Sequence, residues 1–216
     1  MVNVVGNTGP IRVACFDLGG VLIRICRTWA EGCARVGLPV RDPQRREETV
    51  QERQQVVYDY QTGRIDGPTF AQRLSEILRG AYTPEEVMNV HRAWVIEEYQ
   101  GVAEALDRLK QAGLRTACLS NTNDAHWRGL WDYPVMNRLD VPLASHLLGL
   151  HKPDHAIYRA AEARFGAKGS SVLFFDDLEP NVAAAREVGW DAVHVNHAGR
   201  TDEQILAAAR TRGIAV

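Results

Sequence analysis

The stretch Val13 to Leu22, VACFDLGGVL, constrains this chain most. Four small or apolar residues run without polar alternation, stop at Asp17 and turn through Gly19 and Gly20. A strand without polar alternation has no solvated face, so it belongs in a parallel sheet covered by helices on both sides. Residues just past the carboxyl ends of such strands face the crevice where open α/β sheets bind ligands, which places Asp17 there. The glycines let the backbone turn tightly and approach a ligand with no Cβ in the way. Asp followed by Gly is also an ordinary turn former, so the rest of the chain has to decide between the two.

From Gly101 onward helices and short apolar runs alternate. A helix over about 102–112 ends at Gly113 and leads into LRTACLS, a strand closed by Ser120. Asn121 to Asp124 make a turn and a cap for a short helix carrying Trp127 and Trp131, an aromatic pair read as packing. Val141 to Ala144 read as a third strand, followed by a helix near 154–165. A fourth strand, SVLFF, stops at Asp176 and Asp177; a helix near 180–188, the strand DAVHV and a helix near 202–212 follow. This alternation predicts an α/β fold with a doubly wound parallel, Rossmann-like sheet of about five strands. Right-handed crossovers force the winding to reverse once, so strand four returns to the far side of strand one. Asp17 and Asp177 then meet at the switch point.

Residues 24–100 read differently, with helical spacing and no clear strand. Helices are expected over about 26–36, 43–61, 67–79 and 84–98, the last with Thr83 as its N-cap and Pro84 in its first turn. The segment is too large for a simple crossover and reads as an inserted small helical cap domain over the crevice. The core domain is then 11–23 plus 101–216, and residues 1–10 form a loose leader. Arg41, Arg45 and Arg46 interleave with Glu47, Glu48 and Glu52 and read as a solvated helix face.

The net charge of -2, with mixed signs, offers no basic face to nucleic acid and no polybasic patch to a membrane. No apolar run approaches the length of a membrane span, and no signal-type segment precedes the first strand. Cys15, Cys26, Cys33 and Cys118 form no metal-ligand spacing and read as buried reduced thiols, so a cytoplasmic protein is expected. No histidine falls in a zinc-type pattern; His126 lies near the end of the second strand.

Asp17, Asp176 and Asp177 share the predicted crevice. At about 4 Å and an effective dielectric near 20, each like-charge pair costs on the order of 4 kcal/mol, which argues for a bound cation. The alternative is that one acid is protonated or simply caps a helix, which two adjacent Asp at a strand end disfavour. Carboxylate oxygens with a backbone carbonyl at Gly19 are hard ligands suited to Mg2+. Ser120 and Asn121 offer a hydroxyl and amide donors at a loop entering a helix, a place that favours anions. Lys152, in HKPD, can supply a positive charge to a phosphate, and Asn181 can orient an acid of the pair. Taken singly, Ser120 reads as a turn residue, Lys152 as a surface lysine and Asn181 as a helix cap.

Together and in this order, FDLGGVL, LSNTN, GLHKPD and FFDDLEPN resemble the four motifs of the haloacid dehalogenase superfamily of hydrolases. The resemblance runs from about Ile11 to Asn196, and the combination is similar to sugar-phosphate phosphatases of the alpha-D-glucose-1-phosphate phosphatase kind. It implies that Asp17 is the nucleophile, forming an aspartyl-phosphate that water hydrolyses. Ser120, Asn121 and Lys152 would hold the phosphate, with Ser120 and Lys152 also assisting catalysis. Magnesium would sit on Asp17, the Gly19 carbonyl and Asp177, with Asp176 acting from behind or through a water. The implied substrate is a small phosphate monoester, such as a sugar phosphate.

One position departs from that family. Most of its phosphatases carry a second aspartate two residues after the nucleophile, as general acid and base, where this chain has Gly19. General acid-base help is typically worth about 10²–10⁴, so its loss slows such an enzyme without abolishing the reaction. The rivals are a 2-haloacid dehalogenase, a phosphomutase and a catalytically silent phospho-ligand sensor. The dehalogenase leaves the acidic pair unexplained, the mutase needs the missing acid-base group, and the sensor is favoured by Gly19 alone. In the cap, Trp29, Trp94, Arg24 and Arg27 are candidates for substrate contact.

Overall fold

The computed structural model describes residues 10–216, so the expected leader lies outside the described residues apart from Pro10. Residues Val13–Phe16 form β1, buried along its whole length. A tight turn leads to β2 (Ile23–Ile25) and then to five helices: α1 (Trp29–Arg35), α2 (Pro43–Glu48), α3 (Val50–Gln61), α4 (Gly67–Ile77) and α5 (Pro84–Arg92). The chain returns through β3 (Val95–Glu98), which pairs antiparallel with β2. There follow α6 (Val102–Gln111), β4 (Arg115–Ser120), α7 (Asp124–Leu130), β5 (Val141–Ala144), the single turn α8 (Ser145–Leu148) and α9 (His155–Phe165). Next come β6 (Val172–Asp176), α10 (Glu179–Glu187), β7 (Asp191–His194) and α11 (Thr201–Arg210). No helix among the described residues is long and apolar enough to cross a membrane.

Five strands pair in parallel in the order β5, β4, β1, β6, β7, the reversed winding expected from the alternating pattern. The absence of polar alternation has the predicted cause. Ala14 and Phe16 of β1 enter one apolar cluster with Leu173 and Phe175 of β6, under α6 and α11. Val13 and Cys15 enter the other with Val172 and Phe174, under α9 and α10. Phe16 and Phe175 stack with ring centroids 5.1 Å apart. Each such fully buried side chain contributes about 1.5–3 kcal/mol, so a polar residue on either face of β1 would be strongly unfavourable. All four cysteines are free and buried, as their apolar settings predicted.

The helices α1, α3, α4 and α5 enclose a third apolar cluster built on Tyr60, Phe70, Leu74, Leu78 and Tyr82. Local chemistry sets their starts. Thr28, Asp42, Asp66 and Thr83 each accept a backbone N–H of the first turn, and Thr83 with Glu86 closes a reciprocal capping box.

Three boundaries differ from the sequence reading. The helix expected over 84–98 stops at Arg92, because the β-branched pair Val95 and Ile96 runs along β2, with Ile25 opposite Val95. The helix expected over 43–61 breaks at Thr49, whose hydroxyl donates to the Arg45 carbonyl at 2.7 Å and competes with the helical pattern. The helix expected from residue 26 starts at Trp29, since Ile25 lies in the ribbon and Thr28 is the N-cap.

Candidate active site

Strand register builds the site. Phe16 lies level with Phe175, so Asp17 leaves β1 beside Asp176 at the end of β6, and the Asp17 N–H donates to the Phe175 carbonyl at 2.8 Å. Lys152, just ahead of α9, reaches in with a fully buried side chain. Its Nζ lies 3.1 Å from Asp17 Oδ1 and 2.7 Å from Asp176 Oδ2. Asp17, Asp176 and Asp177 each present an oxygen, and these atoms all lie within 4.8 Å of one another.

The Asp17 carboxyl is raised to about 7: burial pushes it up most, Lys152 pulls it part of the way back, and Asp176 and Asp177 add repulsion. Burial alone would lower the Lys152 ammonium, but Asp17 and Asp176 outweigh it and hold the pKa above its ordinary value. The lysine is therefore a fixed charge between two acids at any physiological pH.

Each acid is held differently. Asp176 is saturated: Asn181 Nδ2 bonds both oxygens at 3.1 and 3.0 Å, the Leu178 N–H bonds Oδ1 at 2.8 Å, and Lys152 bonds Oδ2. Asn181 thus orients an acid of the pair, one of the two roles its position allowed. Asp17 Oδ1 is buried without a well-directed hydrogen bond. Asp177 gives Oδ2 to the Arg27 guanidinium at 2.7 Å. An under-bonded buried carboxylate beside a second acid is a hard-oxygen donor set that fits magnesium, with Asp17 and Asp177 better placed than Asp176 to ligate directly.

Ser120 ends β4 and is 4% exposed. The Asn121 carboxamide, expected to aim donors at an anion, is engaged elsewhere. Its Oδ1 accepts the Lys152 N–H at 2.9 Å and its Nδ2 donates to the Lys152 carbonyl at 2.9 Å. Asn121 therefore clamps the backbone that carries the lysine. At Gly19 a Cβ would lie 3.0 Å from Ile25 Cδ1, so β2 fills part of the space a longer side chain would need.

A cavity of about 720 Å3 extends from Leu18, Gly19 and Ser120 up between α1, α3 and α5. Trp29, Trp94 and His126 line it, as their positions allowed, whereas Arg24 points away and pairs with exposed Glu97 at 2.6 Å. His91 and His126 stack with centroids 4.0 Å apart, and burial holds both below the ordinary histidine range. Arg46, expected on a solvated face, turns inward and lies 4.5 Å over the Trp29 ring. A signal was present: Arg46 and Arg53 stand seven apart, the spacing of one helix face.

A protein-family model described as a haloacid dehalogenase-like hydrolase matches residues 11–189. A phosphatase of Mycobacterium tuberculosis is 28% identical over 214 residues, covering 91% of this chain and 92% of that protein. An (S)-2-haloacid dehalogenase of Burkholderia cepacia is 29% identical over 140 residues, which span 64% of this chain and 60% of the relative. Among solved structures, a HAD-like hydrolase of Porphyromonas gingivalis superposes with a TM-score of 0.74 at 25% identity, covering 94% of this chain and 99% of the other. A HAD family enzyme of Bacteroides thetaiotaomicron, in complex with magnesium and inorganic phosphate, gives 0.73 at 22% identity, covering 88% and 96%.

Proposed function

The chain belongs to the haloacid dehalogenase-like hydrolases, and we propose that within that family it is a magnesium-dependent phosphatase of small phosphate monoesters, sugar phosphates among them. The observation that carries the reading is the grouping of Asp17, Asp176 and Asp177 within 4.8 Å. Three carboxylates there face two cations, Lys152 and Arg27, so the cluster holds a surplus negative charge that a divalent cation relieves. Displacing a halide from carbon has no use for that cation. The phosphatase relative also matches nearly its whole length, and the dehalogenase much less of its own.

In this reading Asp17 attacks phosphorus in line, the ester oxygen leaves and takes a proton from water to become the alcohol, and water then cleaves the aspartyl-phosphate to inorganic phosphate and the free carboxylate. Asp17, Asp177 and the Gly19 carbonyl would hold magnesium, whose charge would neutralise the phosphate oxygens. Lys152 supplies a preorganised charge, and Asp176, Asn181 and Asn121 fix its position so that nothing need reorganise during the reaction. Ser120 donates its hydroxyl to a phosphate oxygen. Residues 24–100 act as a cap that closes over the strand ends and selects the alcohol portion, within a cavity of a size typical for small ligands.

The test is release of inorganic phosphate from a panel of sugar phosphates and one aryl phosphate, with magnesium or with chelator, for wild type and Asp17→Asn. Magnesium-dependent release that vanishes in the variant is expected. Folded wild-type protein that releases phosphate from no ester overturns the reading.

A further inference from the structure

The cavity wall contributed by α2 and α3 carries charge that no carboxylate among the described residues neutralises. Arg46 lies with its guanidinium face over Trp29, and its Nη1 is buried with no hydrogen-bond partner. Arg53 sits beside it, bonding the Arg46 carbonyl at 2.5 Å through Nη2 and the Thr49 hydroxyl at 3.4 Å through Nε. Neither guanidinium has a carboxylate within 4.0 Å among the described residues, although both line the cavity. Neighbouring arginines of the same stretch do: Arg41 grips Glu86 with two bonds of 2.7 and 2.8 Å, and Arg45 reaches Glu48 at 3.9 Å.

Among the described residues no Asp or Glu lines the cavity, while two arginines do, and burial lowers the pKa of the lining histidines His91, His126 and His151. Burial first, and then the charge of Arg53, push the Arg46 guanidinium down to about 10, so it is still charged at neutral pH. A half-buried, unpaired cation beside a second half-buried cation is unfavourable unless a ligand brings the counter-charge. Stacking on Trp29 uses the face of the guanidinium and leaves its N–H edge without a hydrogen-bond partner among the described residues, and that edge is the part of an arginine that binds a planar or tetrahedral oxyanion.

We propose that Arg46 and Arg53 form a second anion subsite, so that the substrate is a phosphate ester carrying a further anionic group, a carboxylate or another phosphate, on its alcohol portion. This rests on the phosphatase reading for the first phosphate at Asp17. Gln51 and Gln54, on the same wall, add donors and acceptors for hydroxyls between the two charged ends.

The experiment compares hexyl phosphate, the same ester ending in a carboxylate, and the same chain ending in a second phosphate. Turnover is read as kcat/KM for phosphate release with magnesium, and binding to Asp17→Asn is read by calorimetry. Both anionic tails, or the one that fits, improve kcat/KM and affinity at least about tenfold in the parent protein. That ratio falls towards one in Arg46→Met and in Arg53→Met and is partly kept in Arg46→Lys, with circular dichroism verifying the fold of each. The larger ratio of the two tails names the anion. A ratio near one in the parent, or one that persists in both methionine variants, overturns the subsite. Tail-dependent binding without turnover of any ester overturns the phosphatase reading and leaves the subsite standing, whereas absence of binding by every ester overturns both.

Discussion

Replacing Lys152 by Met removes the charge that holds two buried carboxylates together while keeping a side chain of similar length. From its distances to Asp17 and Asp176, 3.1 and 2.7 Å, the gross attractions at an effective dielectric of 20 are about 5 and about 6 kcal/mol. Most of that is offset by desolvation, and removing one partner of a buried ion pair costs about 3–5 kcal/mol net. The loss depends on pH with a definite sign. Lys152 has a folded pKa above its unfolded one, so its contribution is fully present below about pH 10 and does not fade between pH 5 and 8. Asp17 is raised from 3.8 to about 7, so the folded state binds the extra proton and stability erodes as pH rises between those values. Without the lysine that carboxyl rises further, and the erosion extends above pH 7. Urea unfolding followed by circular dichroism, in chelator, should show a wild-type advantage that grows from pH 5 to pH 8. A difference below about 1 kcal/mol at pH 8, or one unchanged between the two pH values, refutes the placement of the charge.

Gly20→Ala should raise the magnesium concentration for half-maximal phosphate release by about tenfold or more and destabilise the fold by about 1–3 kcal/mol. Gly20 has φ 82°, and a Cβ there would collide with the Asp177 carboxylate and the Arg27 guanidinium. An unaltered magnesium requirement, read by titrating activity, would show that Asp177 is no ligand. Ser145→Ala should cost about 1–3 kcal/mol. The Ser145 Oγ donates to the Gln61 carbonyl at 2.5 Å and accepts the Thr122 N–H at 2.9 Å, tying α3 to the end of β4. Amide exchange in α3 should quicken in that variant, and unchanged protection would sink the assignment.

The parallel sheet was legible because β1 and most of β6, at its centre, are unbroken apolar runs, and such a run has one place to go. The acids were legible because a carboxylate ending such a strand has no partner nearby in sequence. The β2–β3 ribbon was not: Ile23–Ile25 is three residues long, and Val95 falls at a helical offset from Val87. Only pairing across some seventy residues gives it strand character. Asn121 was legible as a polar residue at a strand end, but its bond to the Lys152 backbone spans 31 positions and depends on β4 lying beside β5.

Sequence by itself determined the five-stranded order, the burial of β1 and the presence of Asp17, Ser120, Lys152, Asp176 and Asp177 at one crevice. All but Lys152 follow from local patterns and the handedness of crossovers, which act at every position alike, whereas Lys152 by itself read as a surface lysine and joined the site only through the family resemblance. Tertiary structure decided that Lys152 is locked between two acids, that Arg27 rests on Asp177 and that Arg46 faces the cavity while Arg41 pairs with Glu86. A charged side chain on a half-polar helix has no preferred direction until the break at Thr49 sets the helix rotation and distant residues supply or withhold its counter-charge.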